Sequence, residues 1–258
     1  MGALHAGHQS LIRKARTLTS QVVVSIYVNP LQFENAEDLA LYPQTPHHDA
    51  ELASESGATY LWFPTQEDLY PNGIERIYAG EIGEIFEGHS RRGHFDGVVT
   101  VVNALFKAVK PHWALFGEKD LQQLFLIKKM AKELHPEIEI ISCETIREVN
   151  GLALSSRNVR LSPQGRANAQ VIARALQQAR LSPNITTRRN ALYETLKTEP
   201  AFTLDYAEII DGETFTPAIE STVNQRAIIA GWVEGVRLID TQALDDMYSD
   251  KNLLVEVV

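Results

Sequence analysis

The sequence predicts an α/β protein with a Rossmann-like, doubly wound parallel sheet and a smaller α+β C-terminal domain. Two observations support this prediction. Over the first 146 residues, short apolar runs alternate with segments of helical periodicity, which is the pattern of βαβ units. After residue 146, two helical segments are followed by strand-like runs. We therefore expect one domain over residues 1–146 and a second over residues 147–258.

Each apolar, β-branched run of the first domain is expected to be a buried parallel strand. These strands are predicted over residues 21–28, 58–64, 112–117 and 137–143. Apolar side chains at helical spacing predict helices over residues 9–18, 49–56, 98–109 and 121–134. A strand normally precedes the first polar turn of such a sheet, but here the turn begins at Met1. We therefore expect the sequence to begin at an internal methionine of a longer natural chain.

The second domain is predicted to be a small α+β unit. Helices are expected over residues 163–179 and 186–196, and strands over residues 204–210, 227–232 and 235–240.

The composition of the 258 residues argues against several classes of protein. Hydrophobic residues make up 44% and charged residues 22%, as in ordinary globular chains. The formal net charge of -9 argues against binding to nucleic acid or to an anionic membrane, because each would repel the chain. No apolar run approaches the ~20 residues that a membrane span needs. The single cysteine, Cys143, favours a reducing compartment, so we expect a cytoplasmic protein.

The motif His5-Ala6-Gly7-His8 opens the first predicted helix. A helix N-terminus offers unpaired backbone N–H groups and the positive end of the dipole, and both suit a phosphate. Two imidazoles beside that phosphate can donate hydrogen bonds to charge that develops in a transition state. The alternative is a pair of unrelated surface histidines. A metal site is less favoured, because no obvious third ligand accompanies the pair.

Two later segments add cationic and hydroxyl groups. Gly117-Glu118-Lys119-Asp120 follows the third predicted strand, and open α/β sheets bind ligands at such strand ends. Lys119 can reach a phosphate as a point charge, although a plain helix start explains the segment equally well. Ser155-Ser156-Arg157-Asn158 can clamp phosphates through two hydroxyls and a guanidinium, or can be a polar turn.

Two more segments are candidate binding loops. Gln32 follows the first predicted strand and can donate and accept hydrogen bonds to a hydroxy acid. Arg91 begins a basic turn that suits a carboxylate or phosphate, with a solvated loop as the alternative. The sequence contains neither a P-loop motif, nor a dinucleotide-binding glycine motif, nor a nucleophile elbow.

These segments together resemble the pantothenate synthetase family of the His-x-x-His nucleotidylyltransferase superfamily. The matching segments, in order, are MGALHAGHQSLI, YVNPLQF with EDLALYP, RGHFDGVVTVV, FGEKDLQQL and REVNGLALSSRN. The resemblance is close over residues 1 to about 165 and looser in the tail, through DYAEIID and VRLID. It implies an acid–amino-acid ligase that joins pantoate to β-alanine with ATP and Mg²⁺. The expected route is a pantoyl adenylate, with AMP and pyrophosphate as the other products.

The resemblance also implies roles for individual residues. The implied catalytic residues are His5, His8, Lys119, Ser155, Ser156 and Arg157. The implied ATP contacts are Met1, His5, His8, Gly117, Lys119, Asp120, Ile146, Leu154, Ser155, Ser156 and Arg157. Gln32 and Gln123 are implied to bind pantoate. No metal ligand is assigned. The family is usually a homodimer whose C-terminal domain covers the active site, so we expect small-molecule partners and a second copy.

Two alternatives differ from this hypothesis in chemistry. A sister nucleotidylyltransferase would share the histidine motif but would need further basic groups for a phosphorylated acceptor, whereas Gln32 and Gln123 favour an uncharged, hydroxyl-bearing one. A non-catalytic nucleotide-binding protein would need no histidine pair at the reacting phosphate.

Overall fold

The computed structural model describes residues 2–33, 39–40 and 42–244. The chain divides into two compact units. The first comprises Met1–Gly117 and Gln122–Cys143, and the second comprises Glu118–Leu121 and Glu144–Val258. The roles expected for two domains, nucleotide binding and lid, stay predictions.

The first unit alternates helices and strands, so the predicted α/β class is confirmed. Its elements are α1 (Ala6–Leu18), β1 (Val23–Ser25), α2 (Pro46–Glu55), β2 (Tyr60–Trp62), α3 (His94–Val109), β3 (Trp113–Gly117), α4 (Leu121–Leu134) and β4 (Glu139–Cys143). Short helical turns lie between them at Pro30–Gln32, Gln66–Leu69, Glu81–Glu84 and Glu87–Ser90.

The parallel strands of the first unit lie in two separate pairs. β1 pairs with β2, beginning at Val23 opposite Tyr60, and β3 pairs with β4, beginning at Trp113 opposite Glu139. Within the described residues, no strand pairing joins the two pairs. The strand residues are half-buried or exposed, although the sequence predicted buried strands. Each strand has one hydrogen-bonded neighbour, which leaves its other edge and part of its faces uncovered.

The largest apolar cluster of the first unit lies around α3 and α4. Val98, Val102 and Phe106 of α3 are buried together with Leu126 and Ile127 of α4. This arrangement agrees with the wide apolar face predicted for residues 98–109, and the helix begins four residues earlier, at His94.

The second unit is built on an antiparallel sheet in the order β5-β6-β7. Its elements are α5 (Pro163–Leu181), α6 (Ile185–Lys197), β5 (Thr203–Asp211), β6 (Gln225–Val233) and β7 (Val236–Ala243). The central strand β6 is buried at every position except Trp232, and α5 and α6 supply half of the remaining core cluster. This is the α+β architecture that the sequence predicted.

A tight turn links β6 to β7 and also holds the start of α5. Glu234 and Gly235 both have positive φ, at 51° and 74°, which suits a two-residue hairpin turn. The Glu234 carboxylate accepts hydrogen bonds from the Ser162 hydroxyl (2.6 Å) and backbone N–H (2.9 Å). Ser162 is the N-cap of α5. A Cβ at Gly165 would lie 2.4 Å from Glu234 Oε2, so only glycine permits this close approach.

Among the described residues, no helix combines the length and the apolar character that crossing a membrane requires.

Candidate active site

The two histidines of the opening motif form the start of α1. His5 is the N-cap residue, and its Nδ1 accepts a hydrogen bond from the Gly7 backbone N–H (3.1 Å). His8 is the third residue of the helix, and its Nδ1 accepts from the His5 backbone N–H (3.3 Å). This reciprocal arrangement is a capping box in which imidazoles replace the usual Ser and Glu. The ring centroids are 4.1 Å apart, so the pair is one structural unit, not two unrelated surface histidines.

The capping box fixes where each ring carries its proton. Because Nδ1 of both His5 and His8 accepts a backbone N–H, the neutral rings carry hydrogen on Nε2. Each histidine is therefore an Nε2–H donor at the positive end of a helix dipole. Two such donors at the N-terminus of a helix suit a phosphate group.

The Gln32 turn is held against the start of α3. Asn29 is 1% exposed, and its side-chain amide donates to the Gly97 carbonyl (3.0 Å) and to Gln32 Oε1 (3.2 Å). A Cβ at Gly97 would lie 2.2 Å from the Leu31 carbonyl oxygen, so glycine is required for this contact. Gln32 itself is buried. The predicted pantoate residue thus stands on a fixed turn, and Asn29 is a supporting residue that the motif analysis did not single out.

The basic turn at Arg91 is solvated only in part, because Arg92 and Gly93 are exposed while Arg91 and His94 make contacts inside the unit. His94 is buried, and its Nδ1 donates to the Gln32 carbonyl (2.8 Å). Arg91 lies 3.1 Å from His94 Nε2 and pairs with Glu87 Oε1 at 3.5 Å. Arg91 and His94 therefore help to hold the Gln32 turn in place.

Neighbouring glutamines of α4 have different surroundings. Gln122 is buried and donates to the carbonyls of Ile82 (2.7 Å) and Ile85 (2.8 Å), and it accepts from the Glu87 N–H (3.1 Å). Gln123 is half-buried, and its side chain has no hydrogen bond within the described part of the chain. Gln123 thus keeps its amide for a ligand, as the resemblance implies, and this role stays a prediction.

The Gly117–Asp120 segment lies at the carboxyl end of β3. A Cβ at Gly117 would meet no atom within 4 Å, so the strand end faces open space. Lys119 Nζ lies 3.4 Å from Asp120 Oδ2. Glu118 accepts a 2.6 Å hydrogen bond from Arg226 Nη2, and the Arg226 side chain is 10% exposed. This buried ion pair fixes the turn that presents Lys119.

The segment before Ser155 is a small hairpin. Ile146 and Leu154 face each other through the Leu154 N–H, which donates to the Ile146 carbonyl (3.0 Å). Arg147, beside Ile146, forms two hydrogen bonds to Asp240 of β7, at 2.5 and 3.0 Å. Arg147 also donates to the Thr241 carbonyl (3.1 Å). Because the Asp240 side chain is 4% exposed, this is a buried bidentate ion pair that ties the hairpin to the sheet.

Ser155 caps the turn that follows the hairpin. Its Oγ accepts from the Arg157 N–H (3.3 Å), and its carbonyl accepts from the Asn158 N–H (3.0 Å). The capped turn spans Ser156–Arg160. The hydroxyl of Ser155 acts as an acceptor in the cap, so its own hydrogen can be donated to a phosphate.

The candidate residues are divided between the two units. His5, His8, Gln32, Gly117 and Gln123 belong to the first unit. The second unit holds Lys119, Asp120, Ile146, Leu154, Ser155, Ser156 and Arg157. The convergence of both sets on one triphosphate stays a prediction. Met1 lies outside the described residues, and among those described no group of three or more His, Cys, Asp or Glu side chains has the arrangement of a metal site.

A cavity of about 570 Å³ lies in the first unit, at the carboxyl ends of β1 and β2. This volume is in the range of small-molecule sites. Its polar lining includes Asp49, Thr45 and Gln44, and its apolar lining includes Phe63. Gln32 and Gln123 are not among its described lining residues.

Sequence reasoning missed the residues that hold the candidate groups in place. Asp49, Arg226 and Asp240 are all buried. Asp240 had a usable signal, because it lies in the VRLID segment. Asp49 and Arg226 contact partners that are far away in the sequence, and no local pattern marks such contacts.

Comparisons with known proteins agree on one family. A family model described as Pantoate-beta-alanine ligase matches residues 1–243. The chain is 45% identical over 258 residues to the pantothenate synthetase of Rubrobacter xylanophilus, covering 95% of this chain and 89% of that protein. The crystal structure of pantothenate synthetase from Thermus thermophilus superimposes with a TM-score of 0.90 at 41% identity, covering 95% of this chain and 91% of the other. Pantoate-beta-alanine ligase from Francisella tularensis, complexed with beta-gamma ATP and beta-alanine, gives a TM-score of 0.78 at 37% identity, covering 95% and 87%.

Proposed function

Because this chain belongs to the pantoate-beta-alanine ligase family, we propose that it condenses pantoate with β-alanine in an ATP-dependent reaction. The match of the family model across residues 1–243 is the observation on which this function rests. In the first step a pantoate carboxylate oxygen bonds to the α-phosphorus of ATP, and the bond to pyrophosphate breaks. In the second step the β-alanine amine attacks the acyl carbon of pantoyl adenylate and loses a proton. AMP then leaves, and an amide bond remains.

The histidine pair acts on the first step. Negative charge grows on the phosphate oxygens as pyrophosphate departs, and the Nε2–H groups of His5 and His8 donate hydrogen bonds to it. Donors that are already oriented stabilise such charge without further reorganisation. The reciprocal hydrogen bonds to the α1 backbone supply that orientation.

The second unit supplies cationic and hydroxyl groups for the triphosphate. Lys119 acts as a compact charge, while the hydroxyls of Ser155 and Ser156 and the Arg157 guanidinium hold phosphate oxygens. Asp120 lies next to Lys119 and contacts the ribose. Gly117, Ile146 and Leu154 line the nucleotide site through backbone and apolar surface.

Pantoate is held by uncharged groups. Gln32 and Gln123 hydrogen-bond its hydroxyl and carboxylate oxygens. The fixed Gln32 turn supports this role, because a rigid acceptor and donor pair positions the attacking carboxylate.

Three further properties belong to the proposal. Mg²⁺ enters as the ATP complex, because this ion is usually bound by substrate phosphates, water and only one or two carboxylates. The chain forms a homodimer, as its family resemblance implies, and size-exclusion chromatography with light scattering checks this. A cytoplasmic location fits the single cysteine. The rival sister nucleotidylyltransferase and the non-catalytic binding protein gain no support from the relatives reported above.

The decisive experiment is ATP–pyrophosphate exchange followed by amide formation. We expect label to enter ATP only when pantoate is present, because adenylate formation requires the acid. Addition of β-alanine should then release AMP and pantothenate in equal amounts. Exchange that needs a phosphorylated acid would support the sister enzyme, and ATP binding without exchange would support the non-catalytic protein.

A further inference from the structure

Asp49 is a buried carboxylate outside the residues assigned to the reaction. It lies in the first turn of α2 and is 1% exposed. Its Oδ1 accepts hydrogen bonds from the Leu4 backbone N–H (2.7 Å) and the Thr45 hydroxyl (3.1 Å), and its Oδ2 accepts from the Ala3 backbone N–H (3.0 Å). Burial of an anion is costly unless such donors replace water. Two of the three donors belong to the turn that leads into the histidine motif.

The turn is shaped around this carboxylate. Gly2 has φ of +90° and Ala3 has φ of +50°, so both adopt left-handed backbone conformations. Successive backbone N–H groups in such a turn form a concave site for an anion, and Asp49 occupies it. A Cβ at Gly2 would lie 3.0 Å from Asp49 Oδ2, so both the conformation and the space require glycine.

We propose that Asp49 is a positioning residue for the histidine pair. The N–H groups that it accepts belong to Ala3 and Leu4, and Leu4 is bonded directly to His5, the N-cap of α1. The carboxylate thereby fixes the residue at which α1 begins and the direction in which both Nε2–H groups point. Its effect on rate rests on the proposed function, whereas its effect on ring geometry does not.

The contact requires a carboxylate and not merely a polar side chain. Three donors converge on two oxygens, and both oxygens are used. In Asp49→Asn the amide NH₂ would replace one oxygen and face a donor. The variant has nearly the same volume, so it removes the interaction without a cavity.

The test combines a spectroscopic and a kinetic readout on Asp49→Asn. Long-range ¹H–¹⁵N spectra of the imidazole rings report the tautomer and hydrogen bonding of each histidine. We expect the His5 and His8 signals to move and the histidines outside α2 to stay, whereas His47 and His48 adjoin the substituted residue and are not used in the comparison. In pantoate-dependent exchange, kcat should fall ~10- to 100-fold while the KM for ATP changes by less than about threefold, because small misplacements lower rate more than binding.

Asp96→Asn is the matched control. Asp96 also lies in the first turn of a helix, α3, and accepts a backbone N–H from a distant loop, that of Ala79 (2.8 Å). It should lose stability in the same manner yet leave the His5 and His8 signals unchanged.

Thr45→Val removes one of the three hydrogen bonds to Asp49 and serves if Asp49→Asn does not fold. It should displace the same two ring signals by a smaller amount. Unmoved His5 and His8 signals in a folded variant overturn the inference, even if kcat falls. A wild-type chain without exchange would overturn the proposed function, while the ring signals would still decide the role of Asp49.

Discussion

The two units hold their candidate groups by different means. In the first unit, α1 presents His5 and His8 through hydrogen bonds to backbone N–H groups. In the second unit, buried ion pairs from β6 and β7 hold the segments that carry Lys119 and the Ser155 turn. Hydrogen bonds to the backbone fix the direction of a donor, whereas an ion pair fixes the place of a loop. The two units thus use different kinds of contact to position their candidate groups.

The sheets of the two units also differ in the number of neighbouring strands and in burial. β1 and β3 each have one neighbouring strand among the described residues and are half-exposed. β6 has two neighbours and is buried almost throughout. The loops of the second unit are therefore tied to a covered strand pair, while the histidines are held by hydrogen bonds to backbone N–H groups at the start of α1.

The largest effect is expected from the histidine pair. His8→Ala should lower kcat for exchange ~10²- to 10³-fold, because it removes one oriented donor to the transition state. The affinity for ATP should stay within about tenfold, because losing a donor to the transition state lowers the rate more than it lowers ground-state binding. Exchange kinetics with isothermal titration of ATP measure both quantities.

Two variants control for the helix cap. His8→Gln keeps an acceptor for the His5 N–H, because Gln at this position completes a capping box, and it should show the same loss of rate with normal helix content. His112→Ala removes an exposed histidine at the opposite end of β3 from Gly117 and should have no effect. Equal losses of rate and ATP affinity in His8→Ala would make the pair a binding element only.

Breaking the ion pair of the second unit should act on stability. Asp240→Asn leaves the Arg147 guanidinium without its buried partner, and we expect the free energy of unfolding to fall by about 3 kcal/mol. Glu194→Gln is the control, because the Lys197–Glu194 pair is exposed, and it should change by less than about 0.5 kcal/mol. Urea denaturation measures both, and similar values would remove the distinction between buried and exposed pairs.

A smaller difference in the free energy of unfolding is expected between substitutions in a buried strand and in a half-buried strand. Ile229→Val in β6 removes a methyl group from a side chain with 0% exposure and should destabilise the chain by about 1 kcal/mol. Ile140→Val makes the same change in β4, where the side chain is half-buried, and should cost less than about 0.5 kcal/mol. Equal values in urea denaturation would mean that the half-exposed strands are packed as tightly as β6.

The smallest effect is expected on the stability of the chain at acid pH. Hydrogen bonds from the Ser162 hydroxyl, and then from its backbone N–H, lower the pKa of Glu234 below its ordinary value. The stabilisation is present above the unfolded-state pKa and is lost as the pH falls through the lowered folded-state pKa. In Ser162→Ala the Glu234 pKa should rise toward normal, as an NMR titration of its carboxyl carbon would show. An unchanged titration would mean that the α5 cap does not depend on this pair.

Much of the fold could be predicted because local patterns determine it. The predicted helix over residues 121–134 matches α4 at both ends. Gly57 ends α2 as predicted, with φ of +97° and backbone hydrogen bonds from Gly57 to Ser54 and from Ala58 to Ala53. α1 begins at Ala6, before the expected residue 9, because its cap consists of histidines and not of the usual Ser or Asp.

The remainder depends on partners that are distant in the sequence. The first predicted strand spans residues 21–28, but β1 covers only Val23–Ser25, with one further set of backbone hydrogen bonds at Val22 and at Ile26, since strand length is set by the neighbour. The basic segment that begins at Arg91 has the composition of a ligand-binding or solvated loop, yet the Arg91 side chain contacts Glu87 and His94. The Arg147–Asp240 pair joins residues 93 positions apart, and periodicity carries no information about it.

His5 and His8 both cap α1 and carry the candidate hydrogen-bond donors. A hydrogen on Nδ1 of either ring would point at a backbone N–H, so the N-terminal cap of α1 is intact only when both neutral rings carry their proton on Nε2. The folded helix therefore selects one tautomer of each imidazole before any ligand binds. Any replacement at these two positions alters a helix end as well as a hydrogen-bond donor, and helix content must be compared alongside turnover in every such variant.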